Sequence, residues 1–186
     1  MSITLSNTPV LETERLILRA PQASDLPAFA QFLQAERSLY VRPGPMTEET
    51  TWRAFGHVIG HWVLRGYGNF VITDAATGAA LGACGPWFPA GWPERELGWT
   101  IWSVEAEGKG IAFEAVQAAR AYAYGALGWD TAVSNIDPAN ARSRALAQRL
   151  GCTQDVGAAY PGDTPVEVWR HPAPDDLADG GMEAYA

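Results

Sequence analysis

The sequence predicts a single α/β domain, and three observations carry that expectation. A β-like run, Glu96–Trp102, leads into a glycine-rich turn at Gly108-Lys109-Gly110, and a long Ala-rich helical pattern follows at once. Strand-like runs flank Asp74-Ala75-Ala76-Thr77-Gly78, a sequence suited to a hairpin turn. At 186 residues the chain is long enough for one well-packed core and too short for two typical domains.

Each element has a local reason. Residues 14–19 alternate as a first strand, and Ser24 and Asp25 are suited to cap a helix running to about Glu36. Thr47 caps a second helix through about Arg65, with Trp52, Phe55, Ile59 and Trp62 expected on one face. Strands follow near 68–73, 80–88 and 95–103, then a helix over 110–127 that stops near Gly128. In that helix Ala112, Ala115, Ala119 and Ala123 recur every three or four residues, a spacing that allows close packing on a sheet. A strand at 131–136, a helix at 139–150 ending at Gly151, and strands near 152–158 and 165–170 complete the pattern. Residues 1–171 form the expected domain, and 172–186, rich in Pro, Asp and Gly, read as an acidic, mobile tail.

Composition narrows the function classes. The net charge of −8 argues against general affinity for nucleic acid or an anionic membrane. Residues 107–150 hold five basic against four acidic side chains, a net of +1, which leaves −9 for the remainder. Two readings stand: ordinary surface scatter, or an anionic ligand on the basic segment with a cationic one drawn to the acidic remainder. No run of 18 apolar residues occurs, and Met1-Ser2-Ile3-Thr4 does not open a secretory signal, so a cytoplasmic protein is the default expectation. Cys84 and Cys152 lie far apart on two expected strands and read as buried free thiols. His57 and His61 have the i, i+4 spacing of a zinc pair, but Val58 follows His57 and no third ligand is apparent, so no metal is expected.

The glycine-rich turn is the most chemically specific segment. Gly108 and Gly110 remove Cβ atoms where the backbone turns tightly, so several N–H groups converge beside the positive end of a helix. That arrangement binds an anion, most often a phosphate. It is not a P-loop, because Ser103 stands where the first Gly belongs and Gly110 follows Lys109. Nor is it a dinucleotide fingerprint, since Phe113 occupies the third small position. By itself the turn is equally compatible with a plain strand-to-helix connection.

Its neighbours resemble the GNAT superfamily of acetyl-CoA-dependent N-acetyltransferases, nearest to the ribosomal-protein N-terminal acetyltransferase type. The matching pieces are Glu96-Leu97-Gly98-Trp99, Glu107-Gly108-Lys109-Gly110-Ile111-Ala112, Asp137-Pro138-Ala139-Asn140-Ala141-Arg142-Ser143 and Leu150-Gly151, with Glu14–Arg19 followed by Asp25 at the start. The resemblance covers about residues 10–171. It implies a mixed, mostly antiparallel sheet of seven strands, helices on both faces, and a splay between the fourth and fifth strands where the cofactor sits.

The same resemblance implies roles for particular residues. Backbone around Trp102, Ser103 and Val104 would bond the pantetheine arm as an added strand does. The N–H groups of Gly108, Lys109, Gly110, Ile111 and Ala112 would hold the pyrophosphate, and Lys109 would add charge. Asn140 would bond pantetheine or fix the splayed strand, and it is also suited to cap a helix. The usual Arg or Gln at the first loop position is Glu107 here, and its carboxylate is expected to point outward. Glu96 is the candidate general base, or alternatively a surface partner of Arg95 or Arg19. The Trp102 N–H region is the expected oxyanion donor. Many members carry a Tyr acid seven residues after the Asn; Ala147 stands there, and Ser143 is the candidate acid instead.

The implied reaction is attack of a primary amine on the thioester of acetyl-CoA. A lysine-like amine is only about one part in 2,500 free base at pH 7, against about one in 10 for an α-amine, or roughly 4.6 and 1.4 kcal/mol. A base therefore matters most for the former. Tyr40, Trp52, Trp87 and Trp92 are the expected aromatic walls of the acceptor pocket. A protein N-terminus and a small-molecule amine are both possible acceptors, in a monomer or homodimer without nucleic-acid or membrane partners. The alternative is a non-catalytic acyl-CoA-binding or sensing module.

Overall fold

The computed structural model describes residues 4–42, 44 and 46–179. Eight strands form one sheet: β1 (Leu11–Glu12), β2 (Leu16–Arg19), β3 (Phe70–Asp74), β4 (Ala80–Trp87), β5 (Glu96–Ile101), β6 (Val133–Ile136), β7 (Thr153–Gln154) and β8 (Glu167–Arg170). Their order across the sheet is β1-β2-β3-β4-β5-β6-β8-β7. Every neighbouring pair is antiparallel except β5 with β6. The sheet therefore has eight strands, where seven were expected. The addition is the two-residue β1, too short to leave a period-2 signal.

Five helices accompany the sheet: α1 (Leu26–Gln34), α2 (Glu48–Arg65), α3 (Ile111–Gly125), α4 (Ala141–Arg149) and α5 (Pro174–Asp179). Thr47 caps α2 as the sequence suggested, its hydroxyl accepting from the Thr50 N–H. The buried stripe of α2 is Thr51, Phe55, His61 and Trp62, so Trp52 falls outside it and is 66% exposed. α5 occupies residues expected to belong to a mobile tail; residues 180–186 of that tail lie outside the described residues.

Period-2 alternation in β3 shows how the sheet is covered on both faces. Phe70 and Ile72 join Ala115, Val116 and Ala119 of α3 in one buried cluster. Val71, pointing the other way, packs with Phe32 and Leu33 of α1 and with Trp102. The fully buried alanines of α3 let it lie close on β4 and β5, which keeps its N-terminus beside the end of β5. Cys84 and Cys152 are both buried and free, and burial pushes the Cys152 thiol up to about 12. Among the described residues no helix is long and apolar enough to cross a membrane.

Candidate active site

β5 and β6 share one register pair, Glu96 with Val133, and then diverge. The Val133 N–H donates to the Arg95 carbonyl (2.9 Å). One step further a side chain takes over, with the Ser134 hydroxyl donating to the Leu97 carbonyl (2.6 Å). Because that proton is committed to Leu97, the Ser134 oxygen accepts from Nε2–H of His171, 2.9 Å away. His171 Nδ1 then faces the Arg120 guanidinium (3.4 Å), which also donates to the Leu150 carbonyl (2.8 Å). Burial, with help from the Arg120 charge, holds the His171 pKa down to about 3, so its ring is neutral at any working pH. This Arg120–His171–Ser134 chain fastens the vertex of the splay.

A cavity of about 240 Å³ opens at that vertex. Glu96, the first residue of β5, lines it together with Trp87, its cross-strand partner on β4. The Glu96 Oε2 accepts from Trp92 Nε1 (2.6 Å) and from Asn135 Nδ2 (3.0 Å). Both donors lie on one oxygen; Oε1 has no hydrogen-bond partner among the described residues, and the missing Cβ of Gly98 leaves space beside it. Desolvation raises the Glu96 pKa above the ordinary carboxylate value, against the opposing pull of Trp92 and Asn135. The surface pairing with Arg95 or Arg19 does not form: Arg19 pairs with Asp25 at 2.8 Å, and Arg95 lies 3.7 Å from Asp130. Tyr40 and Trp92 line the same cavity, whereas Trp52, turned to solvent on α2, does not.

Ser143 and Asn140 reach this cavity from the start of α4. Asn140 Oδ1 caps the helix by accepting from the Ser143 N–H (3.1 Å), which realises the capping reading of that residue. The Ser143 hydroxyl oxygen accepts from Trp99 Nε1 (3.2 Å). With an acceptor bond satisfied from the protein side, the hydroxyl proton is left to donate elsewhere. The position of the absent Tyr is taken by Ala147, which is completely buried.

The expected role of the β5 end needs correction. The Trp102 N–H donates to the Leu81 carbonyl (2.7 Å), and the Ser103 N–H to the same oxygen (3.1 Å). Arg37 donates to the Ile101 (2.5 Å) and Trp102 carbonyls, and the Val104 carbonyl accepts from the Glu107 N–H (3.2 Å). The Trp102 and Ser103 N–H groups and the Trp102 and Val104 carbonyls are thus engaged inside the protein, and the Trp102 N–H is not free for an oxyanion. Strand alternation explains the shift. Trp102 bonds across to the β4 side, so Leu97, Trp99 and Ile101 turn their backbone groups the other way; the Leu97 carbonyl is taken by Ser134 and the Ile101 carbonyl by Arg37, which leaves Trp99 facing the splay.

At the glycine-rich turn, Gly108 and Gly110 have φ of 72° and 78°, a left-handed conformation that side chains resist. Arg15 Nη1 holds the Lys109 carbonyl (3.0 Å), which turns the opposite edge of that peptide, the Gly110 N–H, away from Arg15. Arg15 is itself anchored through Nε to Glu114 (2.7 Å), which also accepts from Thr13 (2.6 Å) and the Arg15 N–H (3.0 Å). The N–H groups of Gly108, Lys109 and Gly110 have no partner among the described residues. Those of Ile111 and Ala112 begin α3 and have no intrahelical acceptor. Arg15, Lys109 and Arg149 line an open depression beside the turn. Glu107 does not point outward as expected. Its carboxylate bridges Arg37 (2.9 Å) and Arg142, so two guanidinium groups offset its charge.

Sequence reasoning missed Arg15, Arg37, Arg120, Ser134 and His171. The one available signal was a lone arginine, Arg120, on the apolar face of an Ala-rich helix. Among the described residues no group of three His, Cys, Asp or Glu side chains is arranged to hold a metal, and both ring nitrogens of His61 are bonded to backbone, to Tyr67 (2.8 Å) and Phe88 (3.0 Å).

Comparison with known proteins gives these features a context. The sequence profile of the acetyltransferase (GNAT) domain matches residues 15–153. An acetyltransferase from Agrobacterium tumefaciens str. C58 is 35% identical, with a TM-score of 0.82 over 92% of this chain and 99% of that one. A GnaT-family acetyltransferase from Bordetella pertussis is 26% identical, with a TM-score of 0.71 over 88% and 99%. A ribosomal L7/L12 alpha-N-protein acetyltransferase in complex with coenzyme A shares the fold at 20% identity, TM-score 0.68, over 88% and 96%.

Proposed function

Because this chain belongs to the GNAT family of acetyltransferases, we propose that it transfers the acetyl group of acetyl-CoA to a primary amine in the Glu96 cavity. The carrying observation is the Glu96 carboxylate, desolvated, held by two donors on Oε2 and open at Oε1.

The turn suits an anionic cofactor. The N–H groups of Gly108, Lys109 and Gly110 are unpartnered among the described residues, the space at the Gly108 Cβ position is open, and Arg15 and Lys109 lie alongside. These groups, with the N–H groups of Ile111 and Ala112, would hold the pyrophosphate. In the splay, the backbone groups of Trp99 and the Ile101 N–H face the proposed pantetheine path, in place of the Trp102 and Ser103 N–H groups. The coenzyme A complex of the structurally similar ribosomal-protein acetyltransferase supports this use of the fold. Acetyl-CoA supplies an acyl group activated as a thioester.

The residues then divide the work. Glu96 Oε1 takes a proton from the bound ammonium and frees the nitrogen lone pair. Its raised pKa brings it closer to the amine's, which eases that transfer. The Trp99 N–H faces the splay where negative charge develops on the carbonyl oxygen. As the N–C bond forms and the C–S bond breaks, the Ser143 hydroxyl, oriented by Trp99 Nε1, donates its proton to the leaving sulfur and is reprotonated through solvent, which takes up the second proton shed by the acylated nitrogen. Glu96→Gln keeps the hydrogen-bonding shape and removes the base. Turnover should fall at least tenfold with acetyl-CoA affinity unchanged by calorimetry; an unaltered rate removes Glu96 from this role.

A further inference from the structure

The walls around Glu96 specify the acceptor more narrowly than "primary amine". Glu96 and Asp137 are the two carboxylates among the described lining residues, and no cationic side chain lines the cavity. They are not equivalent. Glu96 is in register with Val133 at the vertex, and Asp137 lies four residues further along β6 and beyond its end. At ~3.3 Å per residue that is about 13 Å away, toward the turn and the cofactor. The acceptor end therefore holds one carboxylate.

The surfaces beside that carboxylate are aromatic and rigid. Trp87 sits directly across from Glu96, so both side chains project from the same face of the sheet. Its indole is stacked on His61 at 4.4 Å and 17°, with His57 at 5.0 Å. His61 cannot turn, because its Nε2 accepts from the Phe88 N–H while Nδ1 bonds the Tyr67 carbonyl. Trp92 is fixed by its bond to Glu96. Tyr40 and Val41 line the cavity while remaining 43% and 51% exposed. A substituent on the amine's carbon thus meets indole, phenol and aliphatic surface already in place, so little ordering is needed on binding.

We infer that the acceptor is a monocation, a primary ammonium carrying an aromatic or apolar substituent, and that polyamines are discriminated against. The first ammonium pairs with Glu96, and the adjoining indole surfaces favour an apolar body. A second ammonium a few carbons away would lie against Trp87, Trp92 or Tyr40 with no carboxylate, and desolvating an unpaired charge is costly. This rests on the proposed use of Glu96 as the acceptor-site base. A free arylalkylamine and a polypeptide beginning with an aromatic residue present the same chemistry.

The test measures coenzyme A thiol release from acetyl-CoA at neutral pH with phenethylamine, a C-terminally amidated peptide beginning with Phe, and spermidine. Phenethylamine or the peptide should exceed spermidine at least tenfold in kcat/KM, and the faster of the two identifies the source. Tyr40→Ala should reduce that ratio at least threefold. Spermidine equal to or better than both aromatic amines overturns the inference while leaving amine acetylation intact. Acetyl-CoA binding with no transfer to any amine overturns the proposed function itself, and this inference with it.

Discussion

His171 ties the geometry of the site to a measurable acid sensitivity. Its ring is 3% exposed and faces the Arg120 cation, so the folded protein binds a proton there only near pH 3, against 6.5 in an exposed chain. A depressed pKa means that the unfolded state takes up a proton first as pH falls. The contribution of neutral His171 is fully present above pH 6.5 and is lost steadily as pH drops toward 3. Each unit costs about 1.4 kcal/mol, so the loss between about pH 6.5 and 4.5 is ~2.7 kcal/mol. Against a typical domain stability of about 5–15 kcal/mol, that is a large share. His171→Gln keeps a donor for Ser134 and removes the titration. Urea unfolding followed by tryptophan fluorescence at about pH 7 and about pH 4.5 separates this from carboxylate effects, because the latter are common to both proteins. The wild type should lose roughly 2–3 kcal/mol more than the variant between the two conditions, a relative midpoint shift of about 1–2 M. Equal losses would show that His171 is not the buried neutral partner of Ser134.

Other consequences follow from the same contacts. Gly98→Ala places a methyl 3.7 Å from Glu96 Oε1, an ordinary contact that the fold tolerates. Melting temperature should hold within a few degrees, yet kcat/KM should fall at least tenfold because the approach to the free oxygen narrows. Arg15→Ala releases the Lys109 carbonyl and leaves Glu114 without its cation, so calorimetry should report acetyl-CoA binding weakened about ten- to thirtyfold, on the order of 1.4–2 kcal/mol. The rate of the wild type should rise with pH through a group above the ordinary glutamate range, and Glu96→Gln should erase that inflection. If Trp99 acts through Ser143, Trp99→Phe should slow turnover in the wild type and have little further effect in Ser143→Ala, which a double-mutant cycle reads directly.

Elements with a strong period were legible in the sequence: α2 and α3 begin within a residue of the expected positions, and the β5-to-α3 turn falls at Gly108 and Gly110, both with positive φ. Glu96 and Ser143 could be singled out because the surrounding segments carry a family pattern. What local sequence does not encode is which backbone edge a strand offers. The bonds of the Trp102 and Ser103 N–H groups to the Leu81 carbonyl turn those donors toward β4, which is why the pantetheine path is proposed along Trp99 instead. Charge partners distant in sequence were equally hidden. Glu107 meets Arg37 and Arg142, and Ser134 meets His171, only after the sheet closes. Trp52 misled because its position on the wheel of α2 is close to the buried stripe without belonging to it.

The central claim is that the acetyl group leaves acetyl-CoA for an amine nitrogen seated at Glu96. Incubation with acetyl-CoA labelled in the acetyl group and phenethylamine, followed by mass spectrometry of the products, tests it most directly. The account predicts one labelled amide for each coenzyme A thiol released, and loss of both signals together in Glu96→Gln. Thiol released with the label appearing as free acetate, or acetyl-CoA bound with no thiol released at all, would contradict it.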